Sequence, residues 1–140
     1  MQKFHLNPDV ASDPQGNYSQ LVKVDVGDAT FLYLAGQVAE DKDGNVVGAG
    51  DLRQQAERIY QNIEAILATE GATLRDIIRA TTYITDMSQR AIVSAVRKEL
   101  FPVDPPATTL LGVTALAGEE WLIEVDVIAV IPNQNHPSHD

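Results

Sequence analysis

Alternating apolar and polar residues first appear after residue 20. In residues 22–26, three valines alternate with a lysine and an aspartate, which predicts a strand with one buried face. Gly27-Asp28 predicts a tight hairpin turn, and the apolar run at residues 31–35 predicts a second, more buried strand. The sequence at residues 41–45 predicts a turn because glycine and asparagine accept positive φ easily. A short strand is predicted at residues 46–47.

A helical pattern then replaces the alternation. Asp51 is a candidate N-cap, with Gln54 three positions later as in a capping box, and Gly71 is placed to end the helix in the left-handed conformation. The apolar stripe consists of Leu52, Ala56, Ile59, Tyr60, Ile63, Ile66 and Leu67. The face predicted to be solvated carries Gln54, Gln55, Glu57, Arg58, Gln61 and Glu64.

The second half of the chain repeats the two patterns. Residues 78–85 alternate and are rich in β-branched side chains, which predicts a strand with Ile78, Ala80, Thr82 and Ile84 on one face. A second helix is predicted after Ser88, and its inward residues are expected to be Ala91, Ile92, Ala95, Val96 and Leu100. Pro102 and the pair Pro105-Pro106 end it. Two strands, at residues 108–115 and 121–131, are predicted to follow.

The predicted order, β-β-(β)-α-β-α-β-β, favours a single α+β domain in which a mixed sheet carries two helices on one face. Residues 1–17 are expected to form a loosely structured N-terminal arm, and residues 132–140 a mobile polar tail. The last strand is apolar on both sides. We therefore expect the sheet face away from the helices to pack on another subunit of a homo-oligomer.

Composition excludes several kinds of chemistry. The chain has 140 residues and no cysteine, so disulfides, thiolate zinc sites and a cysteine nucleophile are excluded. Its net charge of -10 opposes nucleic-acid binding. It has no 18-residue apolar run and no apolar N-terminal segment, so we expect no membrane span and a cytoplasmic location. His5, His136 and His139 fall in the predicted arms, and no metal site is predicted. Motifs for nucleotide binding or a serine hydrolase do not occur.

Glu124 is the first candidate for chemistry. It lies between Ile123 and Val125 in the long final strand, so its carboxyl group is expected to be partly desolvated. Desolvation raises a carboxyl pKa and suits the group to proton transfer or to holding a water. The alternative is a structural carboxylate that pairs with a cation or lies at a wet edge.

Other candidate ligand-binding groups lie near strand ends. Thr108 and Thr109 open the penultimate strand, and their hydroxyl and amide groups could donate to an anion, although two β-branched residues there also suit a strand. Gly36 permits close approach of a ligand or of another backbone, and Gln37 follows it. Tyr18 precedes the first alternating strand and could reach over a pocket with its hydroxyl, or cap the core edge.

The order of several short segments resembles the Rid family, also called the YjgF/YER057c/UK114 family, from about Tyr18 to Ile131. The segments that carry the resemblance are Leu34-Ala35-Gly36-Gln37, the helix over residues 55–70 that ends at Gly71, Arg79-Ala80-Thr81-Thr82-Tyr83-Ile84-Thr85-Asp86, Phe101-Pro102, Pro106-Ala107, and Ile123-Glu124-Val125-Asp126-Val127-Ile128-Ala129-Val130. The resemblance implies a chorismate-mutase-like fold, a homotrimer with the sheets inside a barrel, and ligand clefts at the subunit interfaces. It also implies hydrolysis of reactive imines and enamines, such as 2-aminoacrylate, to 2-keto acids and ammonia without a cofactor.

One position departs from the family's deaminases. They carry an arginine after Pro-Ala that grips the substrate carboxylate, and this chain has Thr108 there. Losing such a contact weakens binding by roughly 2–4 kcal/mol. Glu124 matches the glutamate that places the hydrolytic water, Tyr18 and Gly36 are kept, and Ser94 matches a helix position that is often asparagine.

The resemblance therefore implies an arginine-lacking subgroup and leaves several readings open. The first is a divergent imine/enamine deaminase, and the second is a non-catalytic trimeric protein that binds a small metabolite. A nucleic-acid-processing protein is the third, which the net charge disfavours. Arg79, Arg90 or Arg97 could replace the missing clamp.

Overall fold

A computed structural model describes residues 1–135 of the chain. Within these residues the chain forms seven strands and two helices around one continuous hydrophobic core. The strands are β1 (Gln2–Leu6), β2 (Leu21–Val26), β3 (Ala29–Leu34), β4 (Gln37–Val38), β5 (Ile77–Ile84), β6 (Ala107–Gly112) and β7 (Ile123–Pro132). The helices are α1 (Leu52–Ala68) and α2 (Arg90–Leu100). The predicted α+β class, with a mixed sheet and two helices, is confirmed.

The strands form one mixed sheet in the order β1-β2-β3-β7-β5-β6. β7 is central: β3 and β4 pair with one of its edges and β5 with the other, all antiparallel. β5 and β6 are parallel because α2 connects them as a crossover. This topology places the start of β7 beside both β4 and β5.

Helices cover only one face of this sheet. α1 lies against β4 and β7, and α2 lies against α1. Alternate residues of β7 point into this helical layer and are buried, namely Ile123, Val125, Val127, Ala129 and Ile131. The residues between them are half-buried and belong to the other face, which we call the open face. Packing of the open face on another subunit stays a prediction.

The N-cap of α1, the glycine that follows this helix and the first hairpin turn are confirmed. The Asp51 carboxylate accepts a hydrogen bond from the backbone N–H of Gln54 at 3.0 Å, and Gly71 has φ 75°. Gly27, with φ 57°, turns the chain between β2 and β3. Every residue of the predicted apolar stripe of α1 is buried.

Gln55 was predicted to be solvated, and this is wrong. Its side chain is fully buried, where its amide nitrogen donates to the carbonyls of Gly48 and Glu120 and its amide oxygen accepts from the N–H of Leu122. Three hydrogen bonds compensate the cost of burying the amide. Gln55 thereby ties α1 to the chain that enters β7.

The inward faces of β5 and α2 also differ from expectation. A bulge between Ile77 and Arg79 breaks the alternation of β5, so Ile77 is buried and Ile78 is exposed. In α2, Val93 and Val96 are buried, whereas the two alanines expected inside, Ala91 and Ala95, are exposed. Larger side chains fill the space between α2 and the rest of the core.

The predictions for the two termini and for residues 46–47 can also be compared with the structure. The arm expected at residues 1–17 contains β1, which pairs with β2 because an unpaired strand edge offers free N–H and C=O groups. The strand expected at residues 46–47 is reduced to one bridge between Glu40 and Val46. In the predicted tail, residue 132 ends β7, and residues 136–140 lie outside the described part. None of the helices seen in residues 1–135 is long and apolar enough to cross a membrane.

Candidate functional site

Glu124 lies on the open face, near the start of the central strand β7. It is paired across the sheet with Val38 of β4 and with Tyr83 of β5, and it is half-buried. Burial of the carboxyl group, and secondarily the negative charge of Asp126, raise the pKa of Glu124 above its ordinary value. A carboxylate in this state is a stronger base than one in water, so it is suited to accept a proton.

Gly36 fixes the position of this carboxylate. A Cβ added to Gly36 would lie 2.8 Å from Glu124 Cδ and closer still to Oε2. The backbone of Gly36 is not left-handed, so the requirement for glycine here is a requirement for space. The segment between β3 and β4 and the start of β7 are thereby brought together by close packing, with the carboxylate held against bare backbone.

Tyr83 and Asp126 extend the polar group around Glu124. The Tyr83 hydroxyl donates to Asp126 Oδ2 at 3.0 Å. Burial, followed by this hydrogen bond and the charges of Asp126 and Glu124, raises the pKa of Tyr83, so its hydroxyl stays protonated at neutral pH. Sequence reasoning did not single out Tyr83. Its alternation with the buried Thr82 and Ile84 was the available signal.

Thr109 also belongs to the open face. It pairs with Thr81 of β5, and its hydroxyl accepts a hydrogen bond from Arg79 Nη2 at 2.8 Å. We call Gly36, Arg79, Tyr83, Thr109, Glu124 and Asp126 the open-face cluster.

Thr108 points to the other side of the sheet. It pairs with Ala80, which is buried under the helices, and Arg97 Nη1 donates to its hydroxyl at 2.6 Å. A cavity of about 200 Å³ opens here between α2 and β6, and its lining includes Ser94, Arg97, Lys98, Phe101, Pro106 and Thr108. We call this cavity the α2–β6 cleft.

The structure therefore divides the predicted site residues into two groups. Glu124, Gly36 and Thr109 share the open face, whereas Ser94 and Thr108 share the α2–β6 cleft. Thr108 and Thr109 therefore face opposite sides of the sheet within one chain. Successive residues of a strand point to opposite faces, so neighbours in sequence are separated by the sheet.

Two predicted residues lie near the start of the sheet. Gln37 is buried, and both protons of its amide are engaged, by Gln20 Oε1 and by the carbonyl of Ala35, each at 3.0 Å. These bonds hold the turn between β3 and β4, next to Gly36. Tyr18 is about half exposed, at 48%, and its backbone N–H donates to Gly16.

Acidic and histidine side chains do not converge on a metal site. Across the described residues, no three such groups come close enough to hold an ion together. The chemistry that the open-face cluster can offer is that of a desolvated carboxylate with the Tyr83 phenol as its cross-strand neighbour. Proton transfer to or from a water is the reaction step that suits these groups.

The protein is an α+β domain in which two helices cover one face of a mixed sheet. Its open face holds a carboxylate packed against a glycine, and a cleft lies beside the parallel edge strand β6. The family model described as Endoribonuclease L-PSP matches residues 9–131, and the chain belongs to this family, which is the Rid or YjgF/YER057c/UK114 family that its sequence resembles.

Individual relatives agree with this assignment. A RutC family protein of Pyrococcus abyssi is 34% identical over 92% of this chain and 98% of its own length. A protein of Dermatophagoides farinae named 2-iminobutanoate/2-iminopropanoate deaminase is 28% identical over 90% of this chain and 94% of its own. The crystal structure of yeast Mmf1 superposes with a TM-score of 0.82 at 28% identity and covers 92% of this chain and 98% of that one.

Proposed function

We propose that this protein is a deaminase that hydrolyses a small imine or enamine to a carbonyl compound and ammonia. The observation that carries the proposal is the Glu124 carboxylate, which is partly desolvated, has a raised pKa and is held against Gly36. Membership of a family that includes a named imine deaminase supports the same reaction class.

In the proposed reaction, Glu124 takes a proton from a water as the water oxygen bonds to the imine carbon. The carbon–nitrogen double bond becomes a single bond, and Glu124 passes the proton it took from the water to the nitrogen, which returns the side chain to its carboxylate form. Glu124 then moves a proton from the new hydroxyl group to the nitrogen, and ammonia leaves as the carbonyl forms. One water is consumed for each ammonia released, and no cofactor is needed. An enamine enters the same route after it tautomerises to the imine.

The complete site is proposed to form between copies of the chain. Glu124 and Thr108 lie on opposite faces of the sheet, so one chain cannot present both to one ligand. The open face carries apolar groups that a single chain leaves accessible, among them Tyr33 at 43% and Leu111 at 45% exposure. We propose a homotrimer in which open faces meet, and in which Tyr18, Gly36 and Thr109 of one copy approach Ser94 and Thr108 of the next. Sedimentation as a stable monomer at micromolar concentration would contradict this arrangement.

The residue at position 108 is proposed to place the protein in an arginine-lacking subgroup. A threonine hydroxyl cannot make the paired, charge-assisted bonds of a guanidinium. We therefore expect 2-aminoacrylate to be a poorer substrate than it is for deaminases with arginine at this position.

The test follows ammonia and keto-acid release from 2-aminoacrylate generated in the assay and from aminomuconate-type substrates. Glu124→Ala and Glu124→Gln are expected to lower turnover at least about 100-fold, the usual contribution of a general base. Glu119→Gln, which removes an exposed carboxylate just before β7, is the charge-matched control. Equal activity of wild type and Glu124→Ala on every substrate that turns over would contradict the catalytic role.

Thr108 also supports a second candidate, a trimeric protein that binds a metabolite without turning it over. Such a protein needs the cleft but no proton-transfer group. A metabolite that raises the melting temperature of both wild type and Glu124→Gln, with no turnover by either, would favour this candidate.

The description of the family names an endoribonuclease, but the charge of this chain disfavours that activity. Its net charge of -10 repels the phosphate backbone of RNA. We expect no salt-sensitive binding of RNA, as measured by filter retention between low and physiological salt.

A further inference from the structure

We propose that Arg97 is the anion clamp of this protein and that the α2–β6 cleft binds the carboxylate of the ligand through it. The identity of the ligand that carries this carboxylate rests on the proposed function. The role of Arg97 in binding an anion does not. The guanidinium reaches from the last turn of α2 to β6, where Nη1 donates to Thr108 Oγ1 at 2.6 Å. The positive charge of Arg97, which belongs to α2, therefore lies beside Thr108 of β6, whose own side chain is uncharged.

The charge of Arg97 is not neutralised by the protein. No carboxylate lies within ion-pair distance of Arg97 among residues 1–135. The neighbouring acid on α2, Glu99, is instead bonded to Arg53 of α1. The arginines other than Arg53 in this range also lack an ion pair, so Arg97 is distinguished by its place in the lining of the α2–β6 cleft rather than by the missing ion pair.

The lining of the cleft is positive and offers donors. It contains Arg97 and Lys98 and no acidic side chain. Arg97 has five N–H groups, and Thr108 accepts from one nitrogen only, so donors remain for a ligand. Ser94, one helical turn before Arg97, presents a second hydroxyl on the same side of α2.

Thr108 plays a specific part in this geometry. Its hydroxyl oxygen accepts from Arg97, which leaves the hydroxyl proton free to donate to a ligand oxygen. Phe101 and Pro106 form an apolar wall beside these groups. The cavity of about 200 Å³ suits a small carboxylic acid.

An arginine clamp in this cleft selects substrates by their charge. Imines and enamines that carry a carboxylate should bind, and neutral ones of the same shape should not. The clamp enters from the helix rather than from the strand, so the carboxylate is held on the α2 side of the cleft.

The experiment uses 2-oxobutanoate as the anionic probe and its methyl ester as the neutral probe, each titrated into the full-length protein by calorimetry. Arg97→Gln is expected to weaken binding of the acid at least tenfold and to leave binding of the ester unchanged. Arg97→Lys should retain part of the affinity. Arg90→Gln removes an exposed arginine from the same helix and is the charge-matched control, for which no change is expected.

A second variant keeps the test decisive if Arg97→Gln alters the fold. Placing arginine on the strand in the double variant Arg97→Gln/Thr108→Arg should restore binding of the acid. Binding of the acid by Arg97→Gln as tight as by wild type, or failure of wild type to prefer the acid over the ester, overturns the clamp.

The clamp and the proposed function fail separately. Glu124→Gln should still bind 2-oxobutanoate in an Arg97-dependent way, because the contact between Arg97 and Thr108 does not involve Glu124. Arg97-dependent binding without turnover of any imine would support the clamp and contradict the deaminase. Turnover that depends on Glu124 but is insensitive to Arg97→Gln would support the deaminase and contradict the clamp.

Discussion

Consecutive residues of β7 belong to two faces of the sheet that differ in chemistry. Ile123 and Val125 are fully buried under the helices, whereas Glu124 and Asp126 are half-buried on the open face. The first face stabilises the fold by burying apolar surface. The second holds ionisable groups whose complete burial would be unfavourable, and it keeps them partly desolvated instead. One set of alternate residues in this strand therefore stabilises the fold, and the chemistry that we propose belongs to the other set.

The largest expected effect comes from deleting the same atoms on each face. Ile123→Ala should lower the free energy of unfolding by about 3 kcal/mol because it leaves a cavity in a packed core. Ile128→Ala, on the half-buried open face, should lower it by only about 1 kcal/mol and should weaken subunit association more. Urea denaturation and sedimentation of both variants measure the two effects. Equal destabilisation with unchanged sedimentation would remove the distinction between the faces.

A buried amide on the helical side should have the next largest effect. Gln55→Ala should destabilise the protein by about 2 kcal/mol because it leaves the N–H of Leu122 without a partner. Gln54→Ala, one residue earlier and exposed, should change stability by less than about 0.5 kcal/mol. Thermal unfolding of the pair provides the measurement, and similar losses for both would show that burial of Gln55 is unimportant.

On the open face, Gly36→Ala should impair activity more than stability. The added methyl group would displace the Glu124 carboxylate, and we expect turnover to fall about tenfold, or about 1.4 kcal/mol in the barrier. The double variant Gly36→Ala/Glu124→Asp shortens the acid and should relieve the clash, which would appear as a recovered melting temperature. Full activity of Gly36→Ala would show that close packing does not position the carboxylate.

The smallest expected effect is a gain in stability. Because the pKa of Glu124 is raised in the folded protein, its charged form destabilises the fold at pH values above its ordinary pKa of 4.5. Glu124→Gln should therefore raise the melting temperature at pH 7 by about 1–2 °C, a modest value for a partly exposed group. The difference should vanish as the pH falls below 4.5 and wild-type Glu124 is protonated in both states. A lower melting temperature at pH 7 would show that the carboxylate is stabilised by a partner.

Local sequence signals were sufficient where the structure depends on neighbours in the chain. The Asp51 cap, the glycine at the end of α1 and the hairpin at Gly27 depend on residues within one turn, and each was predicted correctly. The face of α1 was also predicted correctly except at Gln55, whose partners lie 65 and 67 residues further along the chain. A glutamine that bonds distant backbone groups has the same local pattern as a solvated one.

In the candidate site, too, features set by neighbouring residues were predictable and contacts between distant residues were not. The position of Glu124 between Ile123 and Val125 in a long apolar strand pointed to it, because alternation alone predicts its half-buried position. The pairing of Tyr83 with Asp126 depends on the register of β5 against β7, and a bulge at the start of β5 changes which residues face inward. Single-strand patterns do not contain that register, so this part of the open-face cluster could not be predicted.

The sequence by itself determined the order of the elements, the apolar stripe and N-cap of α1, and the position of Glu124 on the open face of the last strand. These features follow from periodicity and backbone preference. Tertiary structure decided which groups meet: the carboxylate with Gly36, the tyrosine with the aspartate, and Arg97 with Thr108. These contacts join different strands and a helix to a strand. Their geometry is set by sheet register and helix packing, which are properties of the folded chain and not of any short segment.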